Sequence, residues 1–481
     1  MSEASDQFMR DTDAFSWYLE NDPGLRTTIL AIAWLDEQPD FDVLAARLER
    51  AVRLVPRFRQ RLIQPPGRMA PPRWVGTDVD LSLHLRRIES AGPHTPATVV
   101  EFARVEAMTS FDRSRPLWQF TLVENLVGNR AALVMKIHHA LTDGIGGTRL
   151  ALLLFETTSE TDPGEHVPLP EEHGGAPSTV GLVRDSLSYD AGRAFGLIRR
   201  GLSDAVPTAV HFVRNPLHST SEALATARSI GRFVRPVSDT LSQVMTGRSL
   251  DRHLDMVSVD LHDLKRVAGV VGGSLNDVFV ASVTGGLRRY HERHGAPVEE
   301  LRITLPISIR NEDDPAASNR ITLARFKVPV GTADPAERTH VTGQRCRAAR
   351  DEPALLLSDA IAGTLNMFPP RVVGSMLKHI DILASDVPGL DVPLFLAGAP
   401  VSGYYAFGPT TGSAVNVTLF TYCGTCCIGF TIDTAAAPDY DVLMECFREG
   451  FEEVLELVGD HHPVVLPLAP VPSNDTPDPT G

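Results

Sequence analysis

Apolar and polar residues recur along this chain with two periods, and the period switches several times. "TTILAIAWLDE" (27–37) is a short apolar run bounded by polar residues, which predicts a buried strand. "DFDVLAARLERAVRLV" (40–55) puts Leu44, Leu48, Ala51, Val52 and Val55 on one helical face and stops at Pro56, so a helix is expected. "DVDLSLHL" (78–85) alternates Leu81, Leu83 and Leu85 with polar residues, the period of a half-buried strand. A helix is expected over 97–110. Strands are expected over 117–126 and 130–141, joined by a Gly-Asn turn at Gly128 and Asn129.

The pattern then breaks. "ETDPGEHVPLPEEHGGAPS" reads as a polar linker or lid rich in Pro and Gly. Residues 180–215 return to helical spacing through Leu182, Leu187, Phe195, Ile198, Leu202 and Val206, punctuated by Arg184, Arg193, Arg199, Arg200 and Arg214. That segment reads either as a basic amphipathic helix on an anionic lipid surface or as a helix packed across two domains with a solvated basic face. The alternation of strand and helix resumes with a helix over 274–295, capped by Ser274 and closed by Gly295. Strands are expected over 302–310 and 321–330, a hairpin over 413–433 turning near Cys423 and Gly424, and a last helix over 440–459. The boundaries expected are a first subdomain over 1–160, a helical connection over 161–240, a second subdomain over 241–465 and a disordered Pro-rich tail over 466–481.

At 481 residues, two domains are the starting expectation. A net charge of −15 argues against a dedicated nucleic-acid binder, because no overall basic field would draw in phosphates. The N-terminus has neither a basic region nor an apolar core of signal-peptide type, and no uninterrupted run of about 18 apolar residues is present. A cytoplasmic location is therefore expected. Five cysteines are an odd number, and Cys423 and Cys426 lack the second pair or the histidines that would complete a zinc site. They are expected to be reduced and packed in the sheet.

"KIHHALTDGIGG" (136–147) is the densest chemical signal: His138 and His139 at the end of an expected strand, with Asp143 and Gly144 following. A histidine near its ordinary pKa takes a proton from a hydroxyl and returns it to a leaving group, provided that neighbours fix its tautomer. No third ligand at defined spacing suggests a metal, no G-x-S-x-G elbow is present, and "GVVGGS" lacks the trailing G-K-[ST] of a phosphate loop.

H-H-x-x-x-D-G resembles the signature of CoA-dependent acyltransferases, including peptide-synthesis condensation domains. The companions are similar to those of one branch, the bacterial wax ester synthase/diacylglycerol acyltransferases: "SFDRSRPLWQF" (110–120) with Pro116, Leu117 and Trp118; "SLNDVFVA" (274–281) with Asn276 and Asp277; "LPISIRNEDD" (305–314) with Arg310; and "ASDVPGL" (384–390) with Ser385, Pro388 and Gly389. The likeness runs in order over roughly residues 8 to 460. Asp386 stands where the family has Asn, Leu390 replaces its second proline, and Ser318 takes the place of a Gly.

The resemblance implies an α/β fold of two chloramphenicol-acetyltransferase-like subdomains, each a mixed sheet with helices, with the active-site tunnel at their interface. It implies an acyl-CoA-dependent O-acyltransferase acting on diacylglycerol or a long-chain alcohol, with acyl-CoA as substrate and no cofactor or metal. It makes His139 the general base, His138 an orienting residue, and Asp143 a structural residue paired with Arg310. Gly144, Asn276 and Asp277 are supports, and Pro116, Leu117, Trp118, Ser385, Pro388 and Gly389 line the tunnel. Docking on a membrane or lipid droplet without spanning follows from substrates of this class. The alternatives are a condensation-like acyltransferase fed by a carrier protein, and a lipid-binding paralogue with little activity.

Overall fold

The computed structural model describes residues 8–66, 70–89, 94–141, 153–160, 239–308, 321–352, 358–366 and 379–467, together with Leu182, Arg184 and Leu355. In chain order the elements are α1 (Asp11–Leu19), β1 (Thr28–Leu35), α2 (Phe41–Leu54), β2 (Gln60–Ile63), β3 (Arg73–Gly76), β4 (Leu85–Ile88), α3 (Pro96–Met108), β5 (Trp118–Leu126) and β6 (Arg130–His138). The second half adds β7 (Arg252–Asp260), α4 (Leu261–Val271), α5 (Leu275–Arg293), β8 (Glu300–Ser308), β9 (Ile321–Pro329), α6 (Pro335–Arg350) and α7 (Ser358–Leu365). It closes with β10 (Ile380–Leu390), β11 (Phe395–Leu396), β12 (Ala399–Phe407), β13 (Ser413–Tyr422), β14 (Thr425–Asp433) and α8 (Tyr440–Leu455).

Two six-stranded mixed sheets organise the molecule. The first has the order β11-β12-β1-β6-β5-β4 and the second β7-β14-β13-β10-β8-β9. The parallel pairs are β4 with β5, and β10 with both β8 and β13. One apolar core lies on the first sheet and a second lies between the second sheet and α4, α5 and α8. This is the two-sheet α/β arrangement that the sequence implies.

The expected elements form for identifiable reasons. Asp40 caps α2 by accepting from the N–H groups of Asp42 and Val43, and Pro56 follows its end. Thr95 caps α3 and Pro96 occupies its first turn. Ser274 and Asp277 close a reciprocal capping box at the start of α5, and Gly295 after its end is left-handed at φ 63°. The β5–β6 turn has Gly128 and Asn129 at positive φ, and the β13–β14 turn has Cys423 and Gly424 likewise. Cys426 and Cys427 are buried in β14, whereas Cys423 is exposed at the turn; all five cysteines are free.

One expected strand is corrected. Residues 78–85 do not form a half-buried strand: Leu81–Leu83 make a 3-10 turn and β4 begins only at Leu85. The Asp80 carboxylate accepts from both the N–H and the hydroxyl of Ser82, at 3.1 and 2.6 Å, which winds the chain and turns Leu83 out to solvent.

The division of the chain at residue 241 is not a division between sheets. β11 and β12 come from the second half yet complete the first sheet, with Leu30–Leu35 of β1 paired to Phe407–Val401. The 180–215 segment, apart from Leu182 and Arg184, and the 468–481 tail lie outside the described residues. Among the described residues, no single helix is long and apolar enough to cross a membrane.

Candidate active site

The histidine pair sits where β6 runs out, in the middle of the first sheet. Thr28 of β1 faces His138 across the antiparallel ladder, and the ladder continues one residue further as the His139 N–H donates to Thr27 O at 3.0 Å. The two residues are adjacent in sequence but differ in surroundings.

His138 is locked. Its ring is 1% exposed and packs edge-on against Trp17 and Phe111, with ring centroids 5.5 and 6.0 Å away. The Ala140 N–H donates to Nδ1 at 3.0 Å, so Nδ1 is an acceptor and Nε2 carries the proton. Nε2 lies 3.3 Å from Glu20 Oε1 and 3.3 Å from Thr27 Oγ1. Glu20 in turn accepts from the Thr27 N–H at 2.6 Å and the Thr27 hydroxyl at 3.2 Å. Burial pushes the Glu20 carboxyl up, but its hydrogen bond with His138, together with those from Thr27, outweighs burial and holds it below the ordinary carboxylate value. Both His138 nitrogens are thus engaged within the protein. His139 is half-buried, and its backbone is fixed by the same Thr27.

Glu20 and Thr27 are neighbours of the histidine pair that sequence reasoning missed. Glu20 lies 118 positions before His138, and nothing local marks it beyond a single acid beside the apolar "FSWYL" turn. Only the fold brings them together.

The other expected site residues fall in three places. Pro116 and Leu117 are buried near the histidines, and Leu117 O accepts from the His138 N–H at 3.0 Å. Trp118 turns the other way into the first core, donating from Nε1 to Phe58 O at 3.1 Å and stacking on Phe58. Asn276 and Asp277 begin α5, with Asn276 Nδ2 3.8 Å from Cys346 Sγ and Asp277 in the capping box. Ser385, Pro388 and Gly389 lie along the C-terminal end of β10. A Cβ on Gly389 would stand 1.6 Å from Thr421 O, so only glycine fits there. Asp386, between them, is half-buried with no hydrogen bond or ion pair among the described residues, and burial pushes its carboxyl up to about 6. Asp143, Gly144 and Arg310 lie outside the described residues.

Two further features bear on ligands. Asp260, Asp263 and His462 come close enough to suggest a cation site. The Asp263 oxygens, however, already accept from the N–H and ring of His462 and from Arg266. Burial raises the Asp263 carboxyl, but these bonds outweigh it and hold it at about 2. The cluster ties the C-terminal segment to α4. The second feature is a cavity of about 200 Å³ between the two halves, lined by residues of β1, α3, β7 and the β12–β13 connection.

The profile of the wax ester synthase/diacylglycerol acyltransferase catalytic domain matches residues 9–279, and that of the family's C-terminal domain matches residues 317–455. The chain belongs to the wax ester synthase/diacylglycerol acyltransferase family. Two candidate diacylglycerol O-acyltransferases of Mycobacterium tuberculosis H37Rv are similar to it nearly throughout. One is 34% identical over 454 residues, 94% of this chain and 92% of its own length; the other is 27% identical over 470 residues, 93% and 90%. Among solved structures, the wax ester synthase/diacylglycerol acyltransferase of Marinobacter aquaeolei VT8 superposes with a TM-score of 0.59 at 21% identity, over 94% of this chain and 99% of that one. The first condensation domain of the calcium-dependent antibiotic synthetase gives 0.61 at 17% identity, over 96% and 98%. At these identities the likeness is one of fold, and the fold shared is the pair of mixed sheets described above. As a family member the chain is an acyltransferase.

Proposed function

We propose that this family member is an O-acyltransferase that moves a long-chain fatty acyl group from acyl-CoA to a hydroxyl of diacylglycerol or of a long-chain alcohol, with His139 as general base. The observation that supports the reading is the commitment of His138: both its ring nitrogens are engaged within the protein, which makes it the positioning member of the pair, and the family signature gives the role of base to His139.

In this reading His139 takes the proton from the acceptor O–H, and the oxygen attacks the thioester carbonyl. The tetrahedral oxyanion collapses, the C–S bond breaks, and the proton held by His139 passes to the leaving thiolate, giving ester and CoA. No acyl-enzyme forms, so no nucleophilic side chain is needed. General base assistance of this kind contributes about 10²–10⁴-fold. Glu20 and Thr27 act through His138 and the backbone, as positioning residues for the strand end that carries His139.

The test is the stoichiometry of transfer. Purified protein given palmitoyl-CoA with diolein, or with hexadecanol, is expected to release one thiol per ester formed. Thiol release that is independent of acceptor would mean hydrolysis, and no release with either acceptor would sink the proposal.

A further inference from the structure

The cavity between the halves lies behind the histidine sheet. Thr28 and Leu30 of β1 line it, and their cross-strand neighbours on β6 are His138 and Lys136. Side chains alternate along a strand, so His139 points to the opposite face, and neither histidine lines the cavity. The walls come from both halves of the chain. Leu30 and Met108 stand on one side, Leu254 and Phe407 on the other, and Leu250, 58% exposed, marks the mouth.

Beside these apolar walls lies positive charge in excess of its partners. Arg26, Arg86 and Lys136 share one carboxylate: Glu106 takes Lys136 at 3.1 Å and Arg86 at 3.4 Å. Burial pushes the Lys136 ammonium below the ordinary lysine value, and the charges of Arg86 and Arg26 add to this against the pull of Glu106. Arg26 lines the cavity and has no ion pair among the described residues. Its Nη1 donates to Met108 O and its Nε is sealed in the protein, whereas Nη2 has no hydrogen bond among the described residues and stays open. Asp22, beside the cavity, turns its carboxylate to the Gly24 N–H at 3.1 Å, and the second arginine of the wall, Arg252, is matched by Asp433 at 3.0 Å.

These features define a ligand. One unmatched guanidinium calls for one negative charge, which suits a carboxylate better than a phosphate dianion. The walls call for an apolar body. A dry cavity of about 150 Å³ accepts a benzene-sized molecule. The roughly 200 Å³ here holds a carboxylate and the first part of a chain, and the mouth at Leu250 lets the rest of the chain leave. We propose that this cavity binds a free fatty acid, with its carboxylate on Arg26 and its chain between the two halves, at a site separate from the face that His139 occupies. An acid seated there joins the halves and stabilises the fold by mass action. The site does not depend on the transfer reaction proposed above.

The experiment measures binding of decanoate, decanol and decyl phosphate, each below its micellar concentration, to wild type, Arg26→Met, Leu250→Trp and His139→Ala. The melting temperature of each protein is read with and without decanoate. Wild type is expected to bind decanoate at least about tenfold more tightly than decanol, from one charge-assisted hydrogen bond. Arg26→Met loses that margin while its decanol affinity stays within about twofold of wild type. Leu250→Trp, made at an exposed position, narrows the mouth and weakens decanoate and decanol alike by about tenfold. His139→Ala binds decanoate as wild type does. Decanoate raises the melting temperature of wild type and of His139→Ala, but not that of Arg26→Met. Decanoate affinity unchanged in Arg26→Met overturns the proposal, and so does a loss in His139→Ala equal to that in Arg26→Met. Decyl phosphate binding more tightly than decanoate would replace the fatty acid by a phosphate-headed lipid and overturn the assignment. If Arg26→Met does not fold, Leu250→Trp carries the test, and unchanged decanoate affinity there overturns the proposal.

Discussion

His138 and His139 are identical side chains one peptide apart, and the proposed mechanism gives them different tasks. His138 is held on every side: an Ala140 N–H on one nitrogen, a carboxylate and a hydroxyl on the other, and aromatic rings around it. Asp386 is the complementary case, an ionisable group whose side chain has no hydrogen bond or ion pair among the described residues. With its carboxyl raised to about 6 by burial, its neutral form is preferred in the fold. Stability from that preference is fully present below the ordinary aspartate value of 3.8 and is lost as pH rises through about 6. Asp386→Asn, which restores the family's usual residue, is therefore expected to raise the melting temperature by several degrees at pH 8 and leave it unchanged at pH 4. A melt that shifts equally at both pH values would contradict this. At this scale the sequence displayed the histidines, because their spacing to Asp143 and Gly144 is itself the signal. Glu20 was illegible, since its significance is a contact across 118 residues.

Among the elements, those with a local cause for starting and stopping were readable. Asp40 and Pro56 bound one helix, Ser274 and Gly295 another, and Cys423-Gly424 turns the hairpin. Where a side chain competes for the backbone, periodicity misled: Asp80 and Ser82 wind residues 81–83 into a turn although the leucines alternate. The C-terminal end of β10 is constrained by contact. Gly389 donates its N–H to Thr421 Oγ1 at 3.0 Å, and its hydrogen in place of a Cβ lets β10 and β13 close up. Gly389→Ala forces backbone apart and is expected to destabilise by about 1–3 kcal/mol, measurable as a lowered denaturant midpoint at unchanged slope. A variant as stable as wild type would show that the approach is not tight.

For the whole molecule, the decisive feature is the crossing of β11 and β12 into the first sheet. β12 covers β1, and Tyr405 of β12 meets Ser258 of β7 at 2.6 Å between hydroxyls, so the same strand touches both sheets. Arg104 of α3 and Asp251 add a salt bridge between the halves at 2.7 Å. Strand order of this kind depends on pairing between residues about 370 positions apart, which hydrophobic period alone does not encode. A fragment of residues 1–240 would leave β1 as an open apolar edge. It is expected to be insoluble or unfolded by circular dichroism, while the full chain melts in one calorimetric transition. A soluble, cooperatively folding 1–240 fragment would contradict the crossing. The crossing also brings β1 and the second sheet together around the cavity.

The most direct test of the account is single-turnover ester formation from palmitoyl-CoA and diolein by His139→Ala, with its fold checked by melting temperature. The account predicts a rate lower by about 10²–10⁴-fold at an unchanged melting temperature. Ester formation within tenfold of wild type would contradict it.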